Sequence, residues 1–396
     1  MQYDLVFEGG GAKGMVFIGA LQELERRGHT YGRLLGTSAG SIVATFTAAG
    51  YDVTEMLEAL SEKDAVGTPV FKTFLGKPPA FPPEEVENST IRNVLELITL
   101  SYIPDLIESR FDRFILDLLS REQFSNIFSF LERGGWYTAD NLLAWARRKL
   151  DSGTFNGKPR QMSGLTLGEF YDVTGTELSL IAADTTSYRK FVLNHNTSPD
   201  LPIVWAMRMS MSVPLVWQEV VWKPEWGTYM GHDVAGHRIV DGGLLSNFPI
   251  QLFISNSKYV TDIMGPKISP GVLGLLIDEK LVVPGMEPPT PEPDELQLTT
   301  LPLTSRIMNL INTVTKAHDK MLIDAYEQFV CRLPAKGYGT MEFDMSDARR
   351  DALIEGGRQA LDAYFQKQEI HGLLDLNAPD TANRQANQLA EKDLIN

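Results

Sequence analysis

At 396 residues, with 43% apolar side chains and a net charge of −15, the chain can bury a substantial core, and its acidity argues against nucleic acid as a partner. Its single cysteine, Cys331, excludes a disulfide framework. No basic–apolar leader precedes the first strand and no apolar run approaches a membrane span, so a cytoplasmic protein is expected, with transient membrane contact and signal-free secretion left open.

The first predicted element is a short apolar strand over residues 5–7, which runs into Gly9, Gly10, Gly11 and Gly14, with Lys13 among them, and then into a helix reaching Arg27. Glycines there let the backbone approach a ligand and turn its N–H groups inward, and the helix N-terminus behind them favours negative charge. Gly9-x-Gly11-x-x-Gly14 also fits a dinucleotide fingerprint, but that reading wants an acidic residue at the end of the second strand, about twenty positions on. The second predicted strand, residues 33–36, instead enters Gly36-Thr37-Ser38-Ala39-Gly40 and a helix to Ala49. A Walker-type phosphate loop fails as well, because Lys13 is followed by Gly14 rather than Ser or Thr. A G-x-S-x-G between strand and helix is the context of a nucleophile elbow, in which small neighbours allow a tight turn that lifts the serine hydroxyl clear of the backbone. A glycine anion hole beside a nucleophile is a layout for acyl transfer.

Further on, a Pro-rich turn at 78–83 precedes a helical tract from Ile91 to Leu131, in which Phe111, Phe114, Ile115 and Leu118 follow helical spacing. Such a tract either packs as a cap or forms a lid or acyl-chain pocket over Ser38. Strands are predicted at 178–183, 190–193, 217–222, 239–240 and 272–277, and helices at 306–329 and 346–365. The 239–240 run delivers Asp241 onto the Gly242-Gly243 turn. Residues 284–302 read as an extended surface loop, and residues 377–396 as a polar, disordered tail. Strands alternating with helices imply an α/β fold with a mainly parallel sheet covered on both faces.

The glycine loop, the Ser38 elbow and Asp241-Gly242-Gly243, in that order and with the segment AMRMSMSVPLVW (206–217) upstream of the last, resemble the patatin-like phospholipase family. The resemblance covers about residues 1–370, since GVLGLLID and RLPAKGYGTMEFDMS also look like late family segments; Lys13 stands where plant members carry Arg. It implies one domain over 1–376, a mainly parallel sheet sandwiched by helices, with a helical cap insertion near 76–150. It further implies a dyad, with Ser38 as nucleophile and Asp241 as general base, acting on fatty-acyl esters of membrane phospholipids without cofactor or metal. A carboxylate of ordinary pKa, about 4, is a weak base for a serine, so the transition-state charge must be held elsewhere. The amides of Gly9, Gly10 and Gly11 are the natural donors, supported by the small or fixed residues Lys13, Gly14, Gly36, Gly40, Gly242 and Gly243.

Two rival arrangements use histidine. A Ser–Asp–His triad would need His318 or His371, the histidines that follow Asp241, and His318 sits in a polar helical stretch. His232 and His237 could be imagined on a metal, but they are five residues apart in a Gly-rich hairpin with no further Cys or His nearby. A catalytically silent lipid- or protein-binding module on the same fold is the alternative to an enzyme; the intact Ser38, Asp241 and glycine loop disfavour it. An activating protein or small molecule and the oligomeric state stay open. With this net charge, the chain must reach a membrane through a local apolar surface or a partner.

Overall fold

The computed structural model describes residues 1–91, 93, 125–286, 323–371 and 381–395. Among them, eight strands form the main sheet: β1 (Gln2–Phe7), β2 (Thr30–Thr37), β3 (Leu178–Asp184), β4 (Arg189–Leu193), β5 (Val220–Val221), β6 (Arg238–Asp241), β7 (Gly271–Val282) and β8 (Val330–Lys336). The helices that matter for the site are α1 (Val16–Arg26), α2 (Ala39–Ala48), α3 (Val53–Leu60), α4 (Asp140–Leu150), α5 (Ile203–Ser210), α6 (Asp347–His371) and α7 (Thr381–Ile395). Strands β8, β7, β1, β2 and β3 lie in that order and all run parallel, while β4, β5 and β6 add antiparallel pairs. The sheet is therefore mixed but mostly parallel.

Side chains alternate across it with the two-residue period of a strand. Tyr3, Leu5 and Phe7 enter one core with α1, α2 and α6, whereas Val6 enters a second core with Phe248, Ile250 and Phe253. Leu34 and Leu35 divide in the same way. Both faces are covered, as a largely parallel sheet requires. Between β1 and β2 the register shifts after Tyr3, and the buried Arg33 spans the irregularity: its backbone N–H and its Nε donate to the two Asp4 carboxylate oxygens, at 2.8 and 2.7 Å. A buried charge pair with several hydrogen bonds fixes geometry even where its net contribution to stability is small. Here it locks the two strands that carry the glycine loop and the elbow.

The pairing of β3 brings distant segments together. Strand β4 occupies one edge of β3 from Leu180 to Asp184. The other edge is shared: β2 pairs with Leu178 to Ile181, and β6, running the opposite way, pairs with Ala182 to Asp184. Thr37 lies opposite Ile181 and Asp241 opposite Ala182. Strands β2 and β6 thus meet head to head at consecutive positions of β3, and residues 38 and 241 emerge at one point.

The structure departs from the sequence expectation in three places. Strand β8 was not foreseen; it carries Pro334, which an edge strand tolerates because a missing N–H there need break no ladder bond. The stretch expected to be one strand at 217–222 is two short ones, Leu215–Trp217 and Val220–Val221. The C-terminal segment, expected to be disordered, forms α7. It docks by burying Ala386 and Ala390 and by Asn387 Oδ1 accepting from Ser255 Oγ at 2.8 Å and from the Asn256 N–H at 2.7 Å. The end of the stretch expected as a cap, α4, belongs to the first core, where Trp145 packs among Phe46, Phe71 and Phe74. Residues Phe111, Phe114, Ile115 and Leu118 of the apolar tract, most of the 284–302 loop, and residues 306–322 with His318 lie outside the described residues.

Candidate active site

The elbow forms where β2 stops and α2 starts. Ser38 takes φ 52° and ψ −125°, a conformation that L-residues rarely adopt and that a site must hold by its surroundings. Its backbone is held fully: the N–H donates to Ser210 Oγ at 3.0 Å, and its carbonyl accepts the Ser41 N–H at 2.8 Å and the Ser41 hydroxyl at 2.6 Å. None of these bonds uses the Ser38 side chain. As the residue that caps α2, Ser38 also sits at the positive end of that helix.

Asp241, at the end of β6, is buried. Its Oδ1 accepts the Gly243 N–H at 2.7 Å, while Oδ2 has no hydrogen-bond partner within 3.5 Å among the described residues. Burial pushes its carboxyl up to about 7, and the adjacent Ser38 hydroxyl and the Gly243 N–H only partly offset this. A base near neutrality with an open lone pair beside a serine hydroxyl suits proton abstraction far better than an ordinary aspartate would. Among the described residues, neither Ser38 nor Asp241 is hydrogen-bonded to a histidine. His237 pairs elsewhere, its Nδ1 lying 2.7 Å from Asp184 Oδ2, and His371 is the last residue of α6.

The glycine loop covers both groups. A Cβ on Gly9 would lie 2.2 Å from Asn247 Oδ1 and 2.9 Å from Ser38 Cβ, so no other residue fits between them. Gly11 has φ 57°, and a Cβ there would meet the Thr340 carbonyl at 2.1 Å. The Gly9 N–H is already engaged, at a long 3.4 Å, by the Asn247 carbonyl. The Gly10 and Gly11 N–H groups have no acceptor among the described residues, and these are the donors the loop can offer an anion. Of the three amides expected to donate, that of Gly9 is therefore already engaged, and its lack of a side chain is what the close contacts require.

The supporting residues are close contacts rather than ligands. Lys13 is buried and ion-paired with Glu279 of β7. An added Cβ would come within 2.4 Å of the Gly40 carbonyl at Gly36, 2.4 Å of the Phe7 carbonyl at Gly40, and 2.5 Å of the Ile181 carbonyl at Gly242. At Gly14 it would lie 3.2 Å from the Ala39 methyl, and at Gly243 3.0 Å from Asn247 Oδ1.

Three positioning groups carry no local signature in the sequence. Asn247 Nδ2 donates to the Gly9 carbonyl at 2.8 Å and to Glu8 Oε1 at 3.2 Å, tying the glycine loop to the turn that bears Asp241. Ser210 holds the Ser38 N–H, and two residues later the Ser212 carbonyl accepts the Asp241 N–H at 2.9 Å. One short stretch after α5 thereby fixes the spacing of the two reactive groups. It is anchored by the fully buried Arg208, which donates to the Ser212 hydroxyl and, at 2.7 Å, to the Gln218 carbonyl; burial lowers its pKa to about 10. The two serines lie in the 206–217 segment that carried the family resemblance, and Asn247 lies four residues beyond the Gly242-Gly243 turn.

A family model described as patatin-like phospholipase matches residues 5–254. The chain is 26% identical over 374 residues to the uncharacterized protein YqhO of Bacillus subtilis (strain 168), covering 93% of this chain and 99% of YqhO. It is 20% identical over 251 residues to the probable lipid hydrolase 463L of Invertebrate iridescent virus 6, covering 63% of this chain and 62% of the viral protein. Among solved structures it is similar to VipD from Legionella pneumophila at 16% identity and a TM-score of 0.45, over 98% of this chain and 73% of VipD. Among the described residues no helix is long and apolar enough to cross a membrane.

Proposed function

The chain belongs to the patatin-like phospholipase family and is a lipid acyl hydrolase, and from that premise we propose that it cleaves fatty-acyl esters of membrane phospholipids with Ser38 as nucleophile and Asp241 as general base. Ser38 Oγ attacks the acyl carbonyl carbon while its proton passes to the open Oδ2 of Asp241. The carbonyl oxygen becomes an oxyanion held by the Gly10 and Gly11 N–H groups. Collapse breaks the ester bond, and the leaving lysophospholipid oxygen takes the proton from Asp241. Water, deprotonated by the same carboxylate, then attacks the acyl-serine, and the proton passes from Asp241 to Ser38 Oγ as that bond breaks and the fatty acid leaves. The observation that supports this reading is the head-to-head meeting of β2 and β6 on one edge of β3, with Thr37 and Asp241 opposite consecutive residues of β3. The membrane is met only transiently, since a charge of −15 gives no general attraction to anionic lipid.

The direct test incubates the purified protein with mixed phospholipid vesicles and reads fatty acids and lysophospholipids by mass spectrometry. Equimolar release of the two supports the reading; intact lipid together with no covalent capture of Ser38 by a fluorophosphonate probe overturns it.

The glycine loop gives a second check. Gly9→Ala should lower kcat by about a hundredfold or more, because the new methyl must push apart Asn247 and Ser38 and so displace the amides that stabilise the oxyanion. Steady-state rates measured beside a thermal melt decide it. Near-normal turnover in a folded variant would remove the loop from the mechanism.

A further inference from the structure

A cleft of about 730 Å³, counting the open space at its mouth, begins at the glycine loop. Gly14 and Ala39 are part of its lining, and Ala39 is the residue directly after the nucleophile. From there Ile42 and Val43 of α2 form one wall, and Phe343 and Met345 form another. The lining is mostly apolar and also carries Glu342, Lys63, Asp347 and Arg350, of which Lys63 and Arg350 each pair with Asp347 at 2.9 Å. A mostly apolar slot beside the elbow, with paired charges in its lining, takes an aliphatic chain of limited length.

The second wall lies beyond residues 5–254, the part matched by the family model. It is a well-fixed structure. Phe343 stacks on Phe71 at 6.2 Å and an interplanar angle of 21°, and packs against Trp217 at 6.4 Å. Glu342 is bound by Arg349 at 2.6 Å, and Asp344 by Lys72 at 3.2 Å. The same segment reaches the oxyanion loop, the Ala12 N–H donating to the Thr340 carbonyl at 2.9 Å. We infer that this segment, through Phe343 and Met345, sets the acyl-chain length that the enzyme accepts.

The inference rests on the acyl-hydrolase reading of Ser38 and adds to it the residues that choose the acyl group. Each methylene buried in the cleft should raise kcat/KM about fourfold, the equivalent of about 0.8 kcal/mol. The gain should stop where the chain meets the Lys63–Asp347–Arg350 ion pairs, since separating those charges offsets further burial.

The test measures kcat/KM for p-nitrophenyl esters from butyrate to myristate, with fluorophosphonate labelling of Ser38 run on every variant. Phe343→Ala opens the wall and should move the optimum to a longer chain. Ser61→Phe, at a half-buried position of the same lining, should move it to a shorter one. Butyrate hydrolysis should change less than about twofold in either, because a chain that short gains little from burial along the cleft. If Phe343→Ala does not fold, Phe343→Leu takes its place and should shift the profile in the same direction. Labelled, folded variants whose optimum stays with the wild type overturn the inference alone. Failure of the wild type itself to label at Ser38 or to hydrolyse any ester overturns the functional reading instead.

Discussion

Replacing Ser38 by alanine is expected to lower phospholipid hydrolysis by about 10⁴-fold or more and to abolish fluorophosphonate labelling, while the protein folds as before. The first part follows from chemistry, since no other hydroxyl can be carried to the same carbonyl carbon by this elbow. The second follows from how the elbow is held. Its hydrogen bonds to Ser210 and Ser41 all use the Ser38 backbone, so alanine keeps every one of them. Alanine at φ 52° is strained about as serine is, and the turn is already built to hold that conformation. The lost hydroxyl is one of the two groups that lower the Asp241 pKa, so the variant's carboxyl should titrate higher than in the wild type. Mass spectrometry of the labelled protein and a thermal melt check both parts. Covalent label on a different serine, or wild-type hydrolysis by the variant, would remove Ser38 from the reaction.

Much of this site was legible in the sequence because its motifs are local. The glycine loop and the elbow each span a few residues whose backbone demands, close approach and a tight turn, admit few side chains. Asp241 was legible through its strand-end position before two glycines. The antiparallel direction of β6 was not, because Ile239 and Val240 show a strand but carry no sign of its orientation. Asn247, Ser210 and Ser212 act across more than a hundred residues of chain or through main-chain atoms, and ordinary polar side chains in a turn look alike until the fold assembles them. Strand β8 was missed because Arg332, Pro334 and Lys336 interrupt its apolar pattern, which an edge position permits. Helix α7 is hard to see in the composition because its apolar positions, Ala386, Leu389, Ala390 and Leu394, stand among many polar residues, and it docks also through polar contacts from Asn387 and Glu391. Composition detects segments that cannot bury apolar surface; it does not detect a helix whose docking face is two alanines and two partly buried leucines.

Asp241→Asn should eliminate turnover almost as completely as loss of the serine, and should do so while raising stability at alkaline pH. Asparagine keeps the shape and can still accept the Gly243 N–H, but it cannot take the Ser38 proton. In the wild type the base works only when ionised, so kcat/KM should rise with pH through about 7 and level off above it. The same displaced pKa acts on folding with the opposite sense. A carboxyl held above its model value of 3.8 in the folded state binds its proton more tightly there than when unfolded, so stability falls as pH climbs from about 4 to about 7. Above that range the full cost of a buried, ionised carboxylate is present; below it the cost vanishes. The asparagine variant lacks a titrating group, so its melting temperature should exceed the wild type's at pH 8 by roughly 2 °C for each kcal/mol relieved, with the difference fading toward pH 4. A merely structural aspartate would show neither the lost pH profile nor this crossing of activity and stability. His318→Ala is the companion variant and should retain activity. If it proves as damaging as Asp241→Asn in a folded protein, or if Asp241→Asn keeps more than about a tenth of wild-type turnover, the carboxylate is not the lone base and a histidine must share the proton.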